Sequence, residues 1–260
     1  MADNSPLLVL GDDGQEPSRR AWEWILAHRW PEWRIEVLTA DIGDEDLEWG
    51  QPPKREEWTP TWPRDESVPG ASSLRFLRVC TDPRAMLAER EGVDLMVLGL
   101  RTHSYLQAMV TGSTTEWVLH HPPAPLVVAT CSDRVESVTV CVDGSDHSRY
   151  AYETFANLPF APDTHVTVLA VDDGRADAQA GAEEAAGFLE GRVAGLHVML
   201  SRGKPTPTIL AQLDDARPQL VVLGTRGLTG WKRLRLGSTA SAVVRAAHCS
   251  SLVACKEEGS

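Results

Sequence analysis

No segment of the chain approaches the roughly 20 consecutive apolar residues that a bilayer-spanning helix requires. Met1-Ala2-Asp3-Asn4 brings no basic stretch ahead of an apolar one. The expectation is a cytoplasmic protein without a membrane partner. Cysteine is scarce: Cys80, Cys131, Cys141, Cys249 and Cys255 form no Cys-x-x-Cys pair, and three of them lie in or beside apolar runs of β character. Buried free thiols are expected rather than a metal or redox site. Cations are outnumbered, 25 Lys and Arg against 37 Asp and Glu, and the net charge of −12 argues against a nucleic-acid partner, whose phosphates are held by clustered Lys and Arg. Two phosphate-handling motifs are also missing. Gly203-Lys204-Pro205 stops short of a Gly-x4-Gly-Lys-Ser/Thr loop, and no His-x-Gly-His occurs. His147 and His165 stand isolated in sequence, so no general base is placed and no catalytic residue is expected.

What is present fits an ordinary globular protein, with 42% hydrophobic and 24% charged residues. A chain of 260 residues suits two domains, each with its own core. The sequence repeats itself in the same way. Leu7-Leu8-Val9-Leu10-Gly11-Asp12-Asp13-Gly14 is matched later by Val138-Thr139-Val140-Cys141-Val142-Asp143-Gly144. Asp94-Leu95-Met96-Val97-Leu98-Gly99 returns as Gln219-Leu220-Val221-Val222-Leu223-Gly224, and Gly112-Ser113-Thr114 as Gly237-Ser238-Thr239, both at an offset of 125 residues. A duplicated domain explains this, with a joint in the polar stretch Thr130–Glu136 and domains at 1–131 and 132–260.

In the second half, β-branched runs at 137–142, 164–171, 196–201, 219–224 and 251–255 alternate with helical patterns at about 147–158, 176–192, 206–216 and 238–247. Apolar strands separated by helices imply an α/β fold. The expectation is two doubly wound Rossmann-like domains, each a five-stranded parallel sheet in the order 3-2-1-4-5, with a crevice where the winding reverses between strands 1 and 4. The first half departs after its second strand. There, Trp49 to Pro63 holds four prolines, which forbid a regular helix, and its tryptophans suggest a loop packed by its own side chains.

The segment from Gly224 to Thr239 carries the most information. It leaves a buried strand, enters a helix, and holds Arg226, Lys232, Arg233 and Arg235 with no acid among its residues. Glycines at such a junction let backbone approach a ligand, and amides at the following helix start attract an anion such as phosphate. The residues admit a plainer reading, in which Gly224 ends a strand, Gly227 and Gly230 make turns, and Ser238 begins a helix. Asp143, where strand 1 should end, faces the same choice: a carboxylate for ribose hydroxyls, or an Asx-turn through Asp143-Gly144-Ser145.

The run Gly224-x2-Gly227-x9-Gly237-Ser238 resembles the Gly-x2-Gly-x9-Gly-Ser/Thr signature of the ATP-binding universal stress proteins. Val142-Asp143-Gly144-Ser145-Asp146-His147-Ser148 is similar to that family's opening at strand 1. The resemblance, which extends over about 136–256, implies a tandem universal stress protein whose second domain binds ATP or another adenine nucleotide, with or without magnesium. Asp143 would bond the ribose, and the backbone near Val171 would read adenine. Gly227, Gly237, Ser238 and Thr239 would hold phosphates over a floor of Gly224 and Thr225. A regulatory or stress-response role without efficient catalysis follows. The alternatives are a slow ATP hydrolase and a ligand-free interaction scaffold with an unknown protein partner.

In the first half the counterpart reads Gly99-Leu100-Arg101-Thr102, so the second signature glycine is a threonine, although the spacing to Gly112-Ser113 survives. A β-branched residue resists positive φ and would fill space that phosphate needs. This half is expected to be empty or weakly binding. It would pack against its partner as one half of an intramolecular pseudo-dimer, through last-strand edges at Val127-Val128 and Leu252-Val253. Association of two chains into a homodimer is left open.

Overall fold

The structure, a computed structural model, describes residues 5–41, 55–57, 67–100, 113–174, 177–225 and 236–254. In the first half, strands β1 (Leu7–Asp12), β2 (Arg34–Ala40), β3 (Arg55–Glu57), β4 (Ser73–Val79), β5 (Leu95–Gly99) and β6 (Leu126–Ala129) accompany helices α1 (Glu16–Leu26), α2 (Pro83–Ala88) and α3 (Ser113–His120). In the second, β7 (Ser137–Val142), β8 (His165–Asp172), β9 (Gly195–Arg202), β10 (Leu220–Gly224) and β11 (Ser250–Ala254) alternate with α4 (Asp146–Ala156), α5 (Ala178–Leu189), α6 (Pro205–Ala216) and α7 (Ser238–Ala246). Each of the five strands and four helices read from the second half is present. Local chemistry fixes several helix starts. Ser145 caps α4 by accepting Ser148 N–H, Asp177 caps α5 by accepting Ala180 N–H, and prolines stand in the first turns of α1, α2 and α6.

Among the described residues all strands belong to one 11-stranded sheet, ordered β3-β4-β2-β1-β5-β6-β11-β10-β7-β8-β9. Within each half the expected 3-2-1-4-5 order holds, with parallel pairing among those five strands. The two arms meet through antiparallel pairing of β6 and β11, in which Val128 faces Ser251, Val127 faces Leu252 and Leu126 faces Val253. These are the edges singled out in the sequence. Two features depart from two separate five-stranded sheets. The β6–β11 ladder fuses the arms, and β3, drawn from the proline-rich span, adds an antiparallel strand on β4. Trp49, Trp58 and Trp62 lie outside the described residues.

Fusion of the sheet also redistributes the core. One buried layer covers one face of the sheet, from Leu8 and Trp24 through Val127 to Val168 and Leu252. A second covers the other face, from Val9 and Met96 through Val128 to Val221 and Val253. The expected core per half is thus replaced by one layer per face, because side chains alternate across a strand and the ladder carries both faces over the joint. Among the described residues Cys80, Cys131, Cys141 and Cys249 are free. Burial drives the Cys141 thiol far above its ordinary range, and burial followed by neighbouring Cys131 pushes Cys249 up to about 12.

An aromatic cluster fastens α1 to the second half. Trp24, His28 and Trp30 pack around Phe160, with the His28 ring centroid 4.4 Å from that of Phe160. His28 Nδ1 lies 2.7 Å from Trp24 O, and Val135 N–H donates to Nε2 at 3.0 Å. With Nε2 an acceptor, the ring is neutral and Nδ1 donates. Arg20 donates to Thr130 O at 3.1 Å, and Arg245 pairs with Glu116 across the joint.

Glycine at the end of the fourth strand of each arm sets how closely the first helix docks. A Cβ on Gly224 would lie 2.7 Å from backbone atoms of His147 and Ser148, at the start of α4. One on Gly99 would lie 2.0 Å from Pro17 O, at the start of α1. Replacing either by alanine must displace backbone, so Gly224→Ala and Gly99→Ala are each expected to cost about 1–3 kcal/mol in denaturant unfolding. Gly187→Ala, inside α5 with nothing within 4 Å of the new methyl, is the control and is expected to stabilise by about 0.5–1 kcal/mol.

His28 gives a second expectation. Burial, outweighing the bond to Trp24 O and helped by Arg134, lowers its pKa from 6.5 to about 4. Between those values the unfolded chain takes up a proton that the folded chain refuses, so stability falls as pH drops through that window and levels off below it. The loss amounts to about 3 kcal/mol at most. In His28→Phe the melting temperature should decline less between pH 6.5 and 4 than in the parent.

Candidate functional site

The winding of the second arm reverses between β7 and β10. The register Leu220 to Val138 and Val222 to Val140 brings Gly224 level with Val142, so Asp143 and Thr225 leave the sheet side by side. Such a reversal opens a crevice at the carboxyl ends of the strands. The docking of α4 against Gly224 forms its floor.

Asp143 takes the Asx-turn and keeps capacity to spare. Its Oδ1 accepts the Ser145 N–H at 3.1 Å and the Ser145 hydroxyl at 2.6 Å. Ser145 Oγ in turn accepts Ser148 N–H at 3.2 Å, which fixes the start of α4. The second carboxylate oxygen has no protein partner among the described residues. Gly144 turns the chain at φ +74°, and a Cβ on Gly181 of α5 would come within 2.9 Å of Gly144 N. Gly181 thus lets α5 rest on the turn. It was not singled out in the sequence, where an isolated glycine inside a helical pattern was its one signal.

Thr225 is fully buried. Its N–H donates to Ala254 O at 3.1 Å, its carbonyl accepts Gly237 N–H, and its hydroxyl lies 3.4 Å from His147 Nδ1. The bond to Gly237 closes the loop at its base and seats the start of α7 against the end of β10. Gly227 lies outside the described residues, as do Arg226, Trp231, Lys232, Arg233 and Arg235. Gly237 is the N-cap of α7 at φ −69° and ψ 158°, with no side-chain cap. The leading amides of α7 therefore have no side chain of their own to satisfy them, which is the condition in which helix starts receive anions. Ser238 is exposed and Thr239 half-buried.

Val171 is half-buried near the end of β8, in register with Ser201 of β9. Just beyond it, Asp172 O accepts Gly203 N–H at 3.1 Å. Asp172, Asp173, Gly203, Lys204, Pro205 and Thr239 line a cleft of about 390 Å³, so the start of α7 and the end of β8 border one space. Lys204, which in sequence belongs to a run that stops short of a phosphate loop, is the N-cap of α6. It is exposed and has no ion pair among the described residues. Asp172 is engaged, accepting Gly174 N–H at 3.0 Å with Arg202 Nε at 3.5 Å.

The first arm builds the same frame and closes it with its own groups. Asp13, level with Asp143, accepts Gln15 N–H at 3.0 Å and the Ser18 hydroxyl at 2.9 Å. The neighbouring Asp12 is buried and uses both oxygens, one for Gly14 N–H at 3.0 Å and one for the Thr39 hydroxyl at 3.1 Å. Asp82 stands before Pro83 where Lys204 stands before Pro205, and it caps α2 by accepting Arg84 N–H at 2.8 Å. An acid thus replaces a cation, and the amides it reaches are taken. Arg101, Thr102 and Gly112 lie outside the described residues.

Comparison with known proteins accords with this architecture. The sequence profile of the universal stress protein family matches residues 81–130 and 174–254, half of the chain. A universal stress protein of Methanocaldococcus jannaschii is 38% identical over 58 residues, which span 22% of this chain and 34% of that relative. A protein of Staphylococcus saprophyticus named for the same family is 28% identical over 143 residues, 47% of this chain and 85% of its own. In three dimensions, the crystal structure of a universal stress protein from Archaeoglobus fulgidus superposes with a TM-score of 0.67 at 18% identity, covering 99% of this chain and 100% of that one. That likeness extends the shared fold over both arms, and with the profile match it settles the assignment: the chain belongs to the universal stress protein family.

Proposed function

We propose that the second domain, residues 132–260, holds one adenine nucleotide, ATP in the first instance, in the crevice between the ends of β7 and β10. Residues 1–131 serve as its permanent packing partner in a pseudo-dimer joined at β6 and β11. The observation that carries this reading is the contrast between two arms built on one frame. Asp143 keeps an oxygen with no partner among the described residues, and the sequence has Gly227 where the first arm has Thr102. Lys204 stands where Asp82 caps its own helix.

In this arrangement the open oxygen of Asp143 accepts ribose hydroxyls, and backbone around Val171 meets the adenine. Gly227, Gly237, Ser238 and Thr239 surround the phosphates above Gly224 and Thr225. Lys204, across the cleft from Thr239, adds a cation toward the phosphate end. Magnesium would accompany the phosphates as their counter-ion. The reading is a nucleotide-binding stress-response protein with a regulatory role and no efficient turnover.

The test begins with nucleotide analysis of protein denatured straight after purification. A thermal-shift titration with ATP, with and without magnesium, follows. At about 100 times its dissociation constant, a ligand should stabilise the fold by roughly 2.7 kcal/mol. Gly237→Val is expected to abolish the response while leaving the unliganded melting temperature near the parent value, because the φ of −69° at Gly237 is open to any residue. Gly112→Val should leave the response intact. Equal responses from the two variants would contradict the assignment to the second arm. Absence of any response would favour the scaffold, and release of more than one equivalent of ADP per chain would favour the hydrolase.

A further inference from the structure

The large apolar side chains exposed among the described residues form one row. Leu196, Val198 and Leu200 of β9 are 37, 40 and 51% exposed. They lie in register with Val166, Val168 and Ala170 of β8, and so share the α5 side of the sheet. Strand β9 ends the sheet. The same three residues carry its unpaired backbone groups. Gly195 N–H donates to Thr164 O and Gly203 N–H to Asp172 O, so odd-numbered residues turn their amides toward β8. By alternation, Leu196, Val198 and Leu200 turn N–H and C=O outward. An apolar edge of this kind is a template for another strand.

The opposite end of the sheet shows how the chain treats the equivalent edge. Counting back from the proline that starts the next helix, Leu77, Arg78 and Val79 of β4 correspond to Met199, Leu200 and Ser201 of β9. Strand β3 covers those three positions in an antiparallel ladder, and the position of Leu200 is held by Arg78, paired with Asp41. On β9 no described segment does the same, and the cation is replaced by leucine.

We propose that β9 pairs antiparallel with β9 of a second copy of this chain, about a two-fold axis at Val198. The segment Leu196-His197-Val198-Met199-Leu200 matches itself in that register. Leu196 of one copy faces Leu200 of the other, Val198 faces Val198, and His197 faces Met199. Gly195 falls opposite Ser201 and Arg202 opposite Ala194, so no like charges meet. The facing pairs Leu196–Leu200 and Val198–Val198 are those whose backbone groups point outward, so each exchanges both N–H···O bonds. The row of three half-exposed side chains becomes a row of six along one face. The joint repeats between chains the antiparallel continuation that β6 and β11 make within one. A contact of five residues a side lies at the small end of specific interfaces, below about 1,200 Å², so the dimer forms in a concentration-dependent way. The proposal is independent of nucleotide binding.

Sedimentation of the full chain over a concentration series tests it. The mass should rise from 28.4 kDa toward twice that value. Leu200→Arg, which restores the cation of the other edge, should hold the mass at one chain. Val198→Pro removes an amide that faces away from β8, a change edge strands tolerate, and should act in the same way. Both variants are checked by circular dichroism and melting temperature. In the parent, amide exchange at Leu196, Val198 and Leu200 should slow at least tenfold as concentration rises, while His197 and Met199 stay protected throughout. A parent that remains at single-chain mass, variants that dimerise as the parent does, or outward amides indifferent to concentration would each overturn the proposal.

Discussion

The ladder between β6 and β11 is the contact on which the architecture depends. Leu126, Val127, Val128, Leu252 and Val253 are essentially inaccessible to solvent, and their pairing is what lets two arms share one sheet and two continuous core layers. Bare apolar edges promote aggregation, and here each is the other's cover. Because the ladder is antiparallel, it points the carboxyl ends of the two sets of strands in opposite directions, so the two crevices open at opposite ends of the molecule. The third strand of each arm lies toward an outer edge, one covered by β3 and the other, β9, with no strand beside it among the described residues.

Duplication of a frame frees one copy from the demands placed on the other. Both arms keep the glycine that lets a helix start press against the fourth strand, since without it the helix would have to move. They differ in the small polar groups around that contact. In the first arm, Asp12, Asp13 and Asp82 accept hydrogen bonds from Gly14, Thr39, Gln15, Ser18 and Arg84, and Asp82 caps its own helix. In the second, Asp143 has an oxygen without a partner among the described residues, and Lys204, which lines the cleft, stands at the position of Asp82. A polar group held at a strand end without a protein partner is a poor device for stability and a good one for ligand binding.

Much of this was legible in the sequence because it is written in contiguous stretches. Short, β-branched apolar runs such as Val138–Val142 and Leu220–Gly224 favour buried strands, and the constant offset between halves exposes the duplication. The location of Asp143, Gly224 and Gly237 at one end of adjacent strands follows from parallel topology. What was not legible depends on relations between distant segments. The exchange of Asp82 for Lys204 shows only when β4 and β9 are superposed, Gly181 matters only because α5 crosses Gly144, and Arg55–Glu57 reads as a strand only when β4 lies beside it. In sequence, Asp143 fits either a turn former or a ligand. Its two oxygens allow both, a division no sequence pattern can express.

Isothermal titration of the ligand-free chain with ATP puts the central claim to its most direct test, because the asymmetry between the arms is a statement about stoichiometry. One site per chain, lost in Asp143→Ala and retained in Asp13→Ala, is the predicted result. Two equivalent sites, or one site that survives Asp143→Ala and disappears in Asp13→Ala, would contradict the account.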